Sequence, residues 1–211
     1  FKAFGEYKLP GYIYASVIPI RIFGVNEGGV RFISAFFGSL TIIVFFFMIR
    51  KLANKELFLP LISAFFLSVN PWHLFFSRGA FEVSLALFFI VSGTFFFIKS
   101  LDKNNKYLLF LSVLMLIASM YTYNVARIFS PILAIFLIAA FRKQLISKPK
   151  FIIYSSAVFS VVLLLPFIVN IFTKGGISAV SGTMIFSSNT VLAPLLELRS
   201  YFINLPHSKI F

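Results

Sequence analysis

Along the chain, long apolar runs alternate with short polar breaks. The runs fall at about Val30 to Ile49, Leu57 to Val69, Ala80 to Ile98, Tyr107 to Met120, Val125 to Phe141 and Phe151 to Ile171. A bilayer core about 30 Å thick takes about 17 to 25 mostly apolar residues per helical crossing, so these six meet or approach the length of a span. Period-two alternation of the kind a membrane barrel needs is absent, and lipid offers the backbone no hydrogen-bond partner, which makes the runs helices. The pattern predicts an all-α fold, a polytopic transmembrane helix bundle of about six crossings. Residues 1–171 are expected to form the bundle, with the tail of the first outer loop at 1–29. Residues 172–211, with turn-forming stretches "KGGISAVSGT" and "SSNT", are expected to begin a larger non-cytoplasmic loop region.

Composition removes the soluble alternatives. The 211 residues are 60% hydrophobic, include 31 Phe and are only 12% charged, with a mean hydropathy of +0.98, far from a soluble globular profile. There is no Cys and hence no disulfide framework. The net charge of +13 would suggest nucleic acid in a soluble chain. Here the cations instead sort by loop. After the first, third and fifth runs stand Arg50, Lys51 and Lys55, then Lys99, Lys103 and Lys106, then Arg142, Lys143, Lys148 and Lys150. The opposite ends of the same runs hold only Arg31, Arg78 and Arg127. This alternation is a positive-inside signal and puts residues 70–79, 121–124 and both chain ends outside the cytoplasm. The expected setting is a multi-pass protein of the plasma (inner) membrane, with membrane lipids as partners and no nucleic acid. An outer N-terminus that begins in mid-sequence at Phe1 implies a further crossing upstream. The ten inner cations fix topology and touch anionic lipid heads.

On the outer side the polar residues are few and grouped. Lys8 stands in "GEYKLPGYIY", Arg31 in "NEGGVRF", Arg78 and Glu82 in "NPWHLFFSRGAFE", and Arg127 in "YTYNVAR". Charges near the membrane face are costly unless paired, hydrated or functional. Brought together, these cations would form an anion site, and phosphate suits guanidinium forks and a lysine point charge. Each residue also has a plainer reading. Arg31 and Arg127 can snorkel to the interface, and Tyr121 and Tyr123 can belong to an aromatic belt. His73 is a ligand or proton carrier, or an interfacial polar tip beside Trp72. Arg78 and Glu82, spaced i, i+4 at the entry of the third run, are expected on one helical face, where they can simply bond to each other. Pro71 is expected to end the second helix. No phosphate-binding glycine loop and no His/Asp/Glu metal spacing is present; no cofactor is assigned, and a divalent cation stays possible.

Three stretches together resemble a known family. "YKLPGYIYASVIPIRIFGVNEGGVRFISAFFGSL" is similar to the segment of family 39-type membrane glycosyltransferases that reads basic-x-Pro-Pro-Leu-Tyr, then "lfG", then an Arg opening a helix. These enzymes are related to protein mannosyltransferases and aminoarabinose transferases. "NPWHLFFSRGAFE" resembles their proline turn followed by Ser-Arg and an acidic residue four positions on, and "YTYNVARIFSP" their Tyr-x-Tyr-x-x-Ala-Arg stretch. One departure is Leu9-Pro10-Gly11, where many members carry Pro-Pro-Leu.

The resemblance implies a GT-C-like fold and an inverting glycosyltransferase, a hexosyl or pentosyl transferase. Its donor would be a polyprenyl-phosphate-linked sugar, and its acceptor a protein, lipid or glycan on the non-cytoplasmic side. Donor phosphate and sugar would be met by Lys8, Arg78, Arg127, Tyr123, His73 and Arg31. In that family an Asp of the first outer loop is the general base. The chain's one Asp, Asp102, falls in an inner loop, so the base is expected upstream of Phe1 and residues 1–211 alone are expected to be inactive. Glu82 matches the second acidic position, with a supporting role. Two other readings stay open. A lipid-linked sugar flippase or transporter would carry charges at mid-bundle, where this chain has almost none, and a non-catalytic scaffold would use the outer cations only on lipid phosphates.

Overall fold

The computed structural model describes residues 2–3, 6–7, 9–53, 56–102, 107–146 and 149–172. Two two-residue strands, β1 (Lys2–Ala3) and β2 (Glu6–Tyr7), pair antiparallel. Every other described element is helical: α1 (Pro10–Phe23), α2 (Glu27–Leu52), α3 (Phe58–Val69), α4 (Pro71–Arg78), α5 (Glu82–Ser100), α6 (Leu108–Thr122), α7 (Ala126–Ala140), α8 (Arg142–Ile146) and α9 (Lys150–Phe172). The chain divides into two compact units, Phe1 with 8–165 and 2–7 with 166–211. The bundle described below is the first. It is an all-α membrane bundle, and the six apolar runs are α2, α3, α5, α6, α7 and α9.

Helices α2 and α5 are each long and apolar enough to cross a membrane. The pair α3 and α4, bent by 58°, makes a third span if taken together, and α6, α7 and residues 151–166 of α9 are shorter apolar helices. Helices α1, α4 and α8 stand where the hydropathy pattern leaves loops. The reason is clearest at Asn70-Pro71. Proline cannot continue α3, but at the first position of a new helix its missing N–H costs nothing. Asn70 is the cap: its Oδ1 accepts from Trp72 N at 2.9 Å and His73 N at 3.2 Å. Pro71 therefore begins a helix as well as stopping one. Asn70→Ala is expected to lower stability by about 1 kcal/mol, read as a lower melting midpoint in detergent; an unchanged midpoint would show that the cap contributes nothing.

Helices α2 and α5 run in the same direction. Near their starts Ser34 meets the backbone of Phe81, and at their other ends Lys51 Nζ lies 2.9 Å from both carboxylate oxygens of Asp102. Two apolar clusters mark the two ends of the bundle. Tyr12, Ile33 and Leu85 join α1, α2 and α5 at one. Phe97, Leu109, Leu137 and Ile152 join α5, α6, α7 and α9 at the other, with Phe141 and Leu145 packed against them. Lys51, Lys99, Arg142 and Lys143 lie on segments ending at this second, basic end.

Small residues bring the helices close, as packing without a hydrophobic drive between helices requires. A Cβ on Gly93 of α5 would meet Leu116 Cγ of α6 at 2.8 Å, and Ser112 Oγ donates to Gly93 O at 2.8 Å. Ser119 and Ser130 hydroxyls, 2.7 Å apart, join α6 to α7.

Candidate functional site

Away from the basic end, four chain segments converge: the start of α1, the start of α2, the turn between α4 and α5, and the turn between α6 and α7. Helix α1 ties them together. It is not a span; it has one buried face, Tyr12, Ser16 and Pro19 at helical spacing, and an exposed apolar face that includes Tyr14, Ile18 and Ile22, the pattern of an interfacial helix. At its first turn, Gly11 lies against the end of α6, where an added Cβ would stand 2.6 Å from Thr122 Oγ1 and 3.0 Å from both Thr122 Cα and Tyr121 O. One residue later Tyr12 crosses to α2, its hydroxyl 2.8 Å from Ser34 Oγ and 3.1 Å from Val30 O.

Ser34, fully buried in α2, continues the connection into α5. Phe81 N donates to Ser34 Oγ at 3.1 Å, and Ser34 Oγ is also 3.1 Å from Phe81 O. Phe81 caps α5 without a side-chain hydrogen bond of its own, so a hydroxyl from a neighbouring helix takes the capping role. Glu82, half-buried, is the first residue of α5, where a carboxylate suits the positive helix end. Its charge reaches the Tyr12 phenol. Burial holds that phenol above its ordinary pKa, partly offset by the hydrogen bonds with Ser34 and Ser16, and the Glu82 charge adds to the rise. Tyr12 is thus a neutral hydrogen-bond donor at physiological pH.

The sequence-predicted residues are distributed around this junction. Arg78 is the last residue of α4, exposed to the surroundings. Between it and Glu82 the backbone is extended at Gly79 and Phe81, and Phe81 stacks back on Phe75 at 5.4 Å. The two residues thus belong to different helices, which corrects the expectation of a shared helical face: the glycine and the returning phenylalanine ring break the helix between them. Arg31 pairs with Glu27 one turn earlier at 3.4 Å, both side chains well exposed, an arrangement worth at most about 1 kcal/mol. The pair lines an open groove of about 480 Å³ with Val25, Asn26, Val30 and Ala80, so Arg31 borders the α4–α5 turn.

Tyr123 caps the end of α6, and Arg127, half-buried, opens α7 within electrostatic reach of the Tyr121 phenol. Tyr121 itself donates to Leu163 O of α9 at 2.9 Å, in the turn before Pro166, whose ring interrupts the helix ladder. His73 lies apart from the junction. It is buried, and its Nε2 stands 3.2 Å from Gly38 O. A carbonyl only accepts, so Nε2 carries the proton. Gly38 is about 17 Å along α2 from Glu27, well inside the bundle. Lys8 lies outside the described residues; Leu9, which follows it, is buried.

Tyr12 and Ser34 did not stand out in the sequence. One tyrosine among several in "GYIY" and one serine in "RFISAFF" carry no spacing signal, and their meeting across 22 residues is a product of the fold. Among the described residues no three His, Cys, Asp or Glu side chains gather as a metal site would need. A second groove, about 580 Å³, is lined by Phe110, Phe151, Tyr154, Ser155, Val158, Phe159 and Val162. It lies along α6 and α9 and is apolar apart from two hydroxyls.

Comparison with known families decides the class. The dolichyl-phosphate-mannose-protein mannosyltransferase family matches residues 8–170. The chain belongs to this family. Curated proteins and solved structures give no match. Membership makes the chain an integral membrane protein of a glycosyltransferase family of GT-C type, with a lipid-linked sugar donor and an acceptor at the membrane. The matched span opens at Lys8 and takes in the whole α1 junction, the α4–α5 turn and the α6–α7 turn.

Proposed function

We propose that this mannosyltransferase-family chain serves sugar transfer from a polyprenyl-phosphate carrier to an acceptor at the non-cytoplasmic face of the plasma membrane, with inversion at the anomeric carbon. The observation that carries the reading is the convergence of the α1, α2, α4–α5 and α6–α7 segments at one end, opposite the basic end, within the span that matches the family. In this reading Arg78 and Arg127, with Lys8, hold the donor phosphate, and Arg31 lies at the rim of the adjoining groove. Guanidinium donors fit phosphate oxygens and stabilise the charge that develops as the sugar leaves. Tyr123 offers a hydroxyl to the sugar. Glu82 supports the acceptor side, ordering the site. His73, engaged with Gly38, is a structural member of the bundle rather than a ligand.

The α3–α4 break is a feature that a transporter would use, since half-helix N-termini bind substrate in such proteins. Here Asn70 already occupies the Trp72 and His73 N–H groups at that N-terminus, which favours the transferase.

The test uses the full-length protein in proteoliposomes with radiolabelled undecaprenyl-phosphate mannose as donor probe. Arg78→Ala and Arg127→Ala are each expected to raise the donor KM about tenfold, the value of a charge-assisted hydrogen bond, and to lower kcat as well, since the same groups stabilise the departing phosphate. Unaltered KM in both variants would remove the phosphate role.

A further inference from the structure

We propose that Tyr12 and Ser34 are positioning residues for Glu82: a two-hydroxyl relay that couples the seating of α1 to the place of that carboxylate at the start of α5. This deepens the reading of Glu82 as part of the transfer site and rests on it.

The geometry is specific. Glu82 follows Phe81 directly, and Ser34 Oγ is within 3.1 Å of both backbone polar atoms of Phe81. Whatever fixes the Ser34 hydroxyl therefore fixes the peptide from which Glu82 projects. Tyr12 does so, at 2.8 Å. The two hydroxyls share two protons over three contacts, and two arrangements satisfy them. In one, Tyr12 donates to Val30 O and Ser34 donates to Tyr12; in the other, Tyr12 donates to Ser34 and Ser34 donates to Phe81 O. Both leave Ser34 Oγ as acceptor for Phe81 N–H. Ser34 is fully buried and Tyr12 nearly so, and in such surroundings an orphaned polar group is costly, so the relay holds its register.

The arrangement is more than helix packing needs. Ile33 and Leu85 already join α2 to α5 beside it, and phenylalanine at position 12 would fill nearly the same volume. What the hydroxyls add is direction, toward Glu82, whose placement the acceptor side of the site depends on. Helix α1 is also seated on the α6–α7 side through Gly11. The relay thus links the turn preceding Arg127 to Glu82 through a single helical turn of α1.

A double-mutant cycle in the full-length protein, with undecaprenyl-phosphate mannose as probe, tests this. Tyr12→Phe is expected to lower kcat about tenfold with the donor KM within about twofold of wild type, because a displaced group loses transition-state placement rather than donor binding. Glu82→Gln lowers kcat by at least as much. Added to Glu82→Gln, Tyr12→Phe is expected to cost nothing further, since its effect runs through the carboxylate. Ser34→Ala, which removes the other hydroxyl, is expected to behave in the same way and carries the cycle if Tyr12→Phe does not fold. A full additional tenfold loss in the Glu82→Gln background would mean a merely structural contribution and would overturn the relay. A Glu82→Gln enzyme with wild-type kcat would overturn instead the role of Glu82 itself, and the relay with it.

Discussion

Gly11→Ala is expected to destabilise the protein by about 3 kcal/mol and to lose most transfer activity, and no substitution at Thr122 is expected to restore it. The new Cβ would meet Thr122 Oγ1 at 2.6 Å, and that hydroxyl is itself held at 2.8 Å from Ala118 O. Trimming the side chain with Thr122→Ala removes this obstacle only. Thr122 Cα and Tyr121 O remain at 3.0 Å, and this backbone of the last turn of α6 yields less readily than a side chain. Helix α1 must therefore lift away from α6 and take Tyr12 out of reach of Ser34. Melting midpoints of the single and double variants, with transfer rates alongside, check this; a Gly11→Ala protein as stable and active as wild type would show that α1 is not seated as described. The same contact gives a physical reason for the departure noted in the sequence. Where many family members carry leucine, a leucine at position 11 of this chain would drive its side chain into the end of α6.

How much of this was legible in the sequence varies with the kind of signal. Helices α2 and α5 announce themselves as long apolar runs, because a span has to satisfy its backbone internally and present apolar side chains for its whole length. The grouping of Arg50, Lys51, Lys99, Arg142 and Lys143 reads equally well, since charge placement follows loop alternation and needs no knowledge of packing. Helices α1 and α4 do not read. Both open with a proline, and α1 carries a second, Pro19, within it, so local composition points to turns while tertiary contacts decide for helix. Pairings across distance are silent in a single sequence. Lys51 meets Asp102 and Tyr12 meets Ser34 because helices of particular lengths run side by side, and no local spacing encodes that. The candidate site is an intermediate case: the motifs located the turns correctly, but the groups that organise Glu82 are ordinary hydroxyls in apolar surroundings.

Gly38→Ala poses the opposite case to Gly11, a clash with a side chain that can be removed. Helix α4 sits on α2 through two residues of one face, His73 and Ser77, and both converge on Gly38. A Cβ there would collide with Ser77 Oγ and stand 2.8 Å from Ser77 Cβ. Moving α4 away to relieve this also stretches the 3.2 Å contact from His73 Nε2 to Gly38 O, leaving a buried imidazole N–H unsatisfied. The combined cost is expected to be about 3 kcal/mol. Ser77→Gly should recover most of it, leaving about 1 kcal/mol for glycine in a helix. Ser77→Ala should recover only part, because its Cβ stays in place. Removing the hydroxyl carries little penalty of its own, since Ser77 Oγ is buried without a hydrogen-bond partner among the described residues. The ordering of melting midpoints in the Gly38→Ala background, glycine above alanine above serine at position 77, is the decisive measurement. It distinguishes a tight α2–α4 seat from a loose one, in which all three would melt together. That seat matters for function because α4 ends at Arg78 and leads through Gly79 to Glu82. If α4 is anchored at mid-helix by His73 and Ser77, the α4–α5 turn is held from below by the bundle and from above by Tyr12 and Ser34. The Gly38→Ala variant should then lose donor affinity as well as stability, in step with the displacement of Arg78.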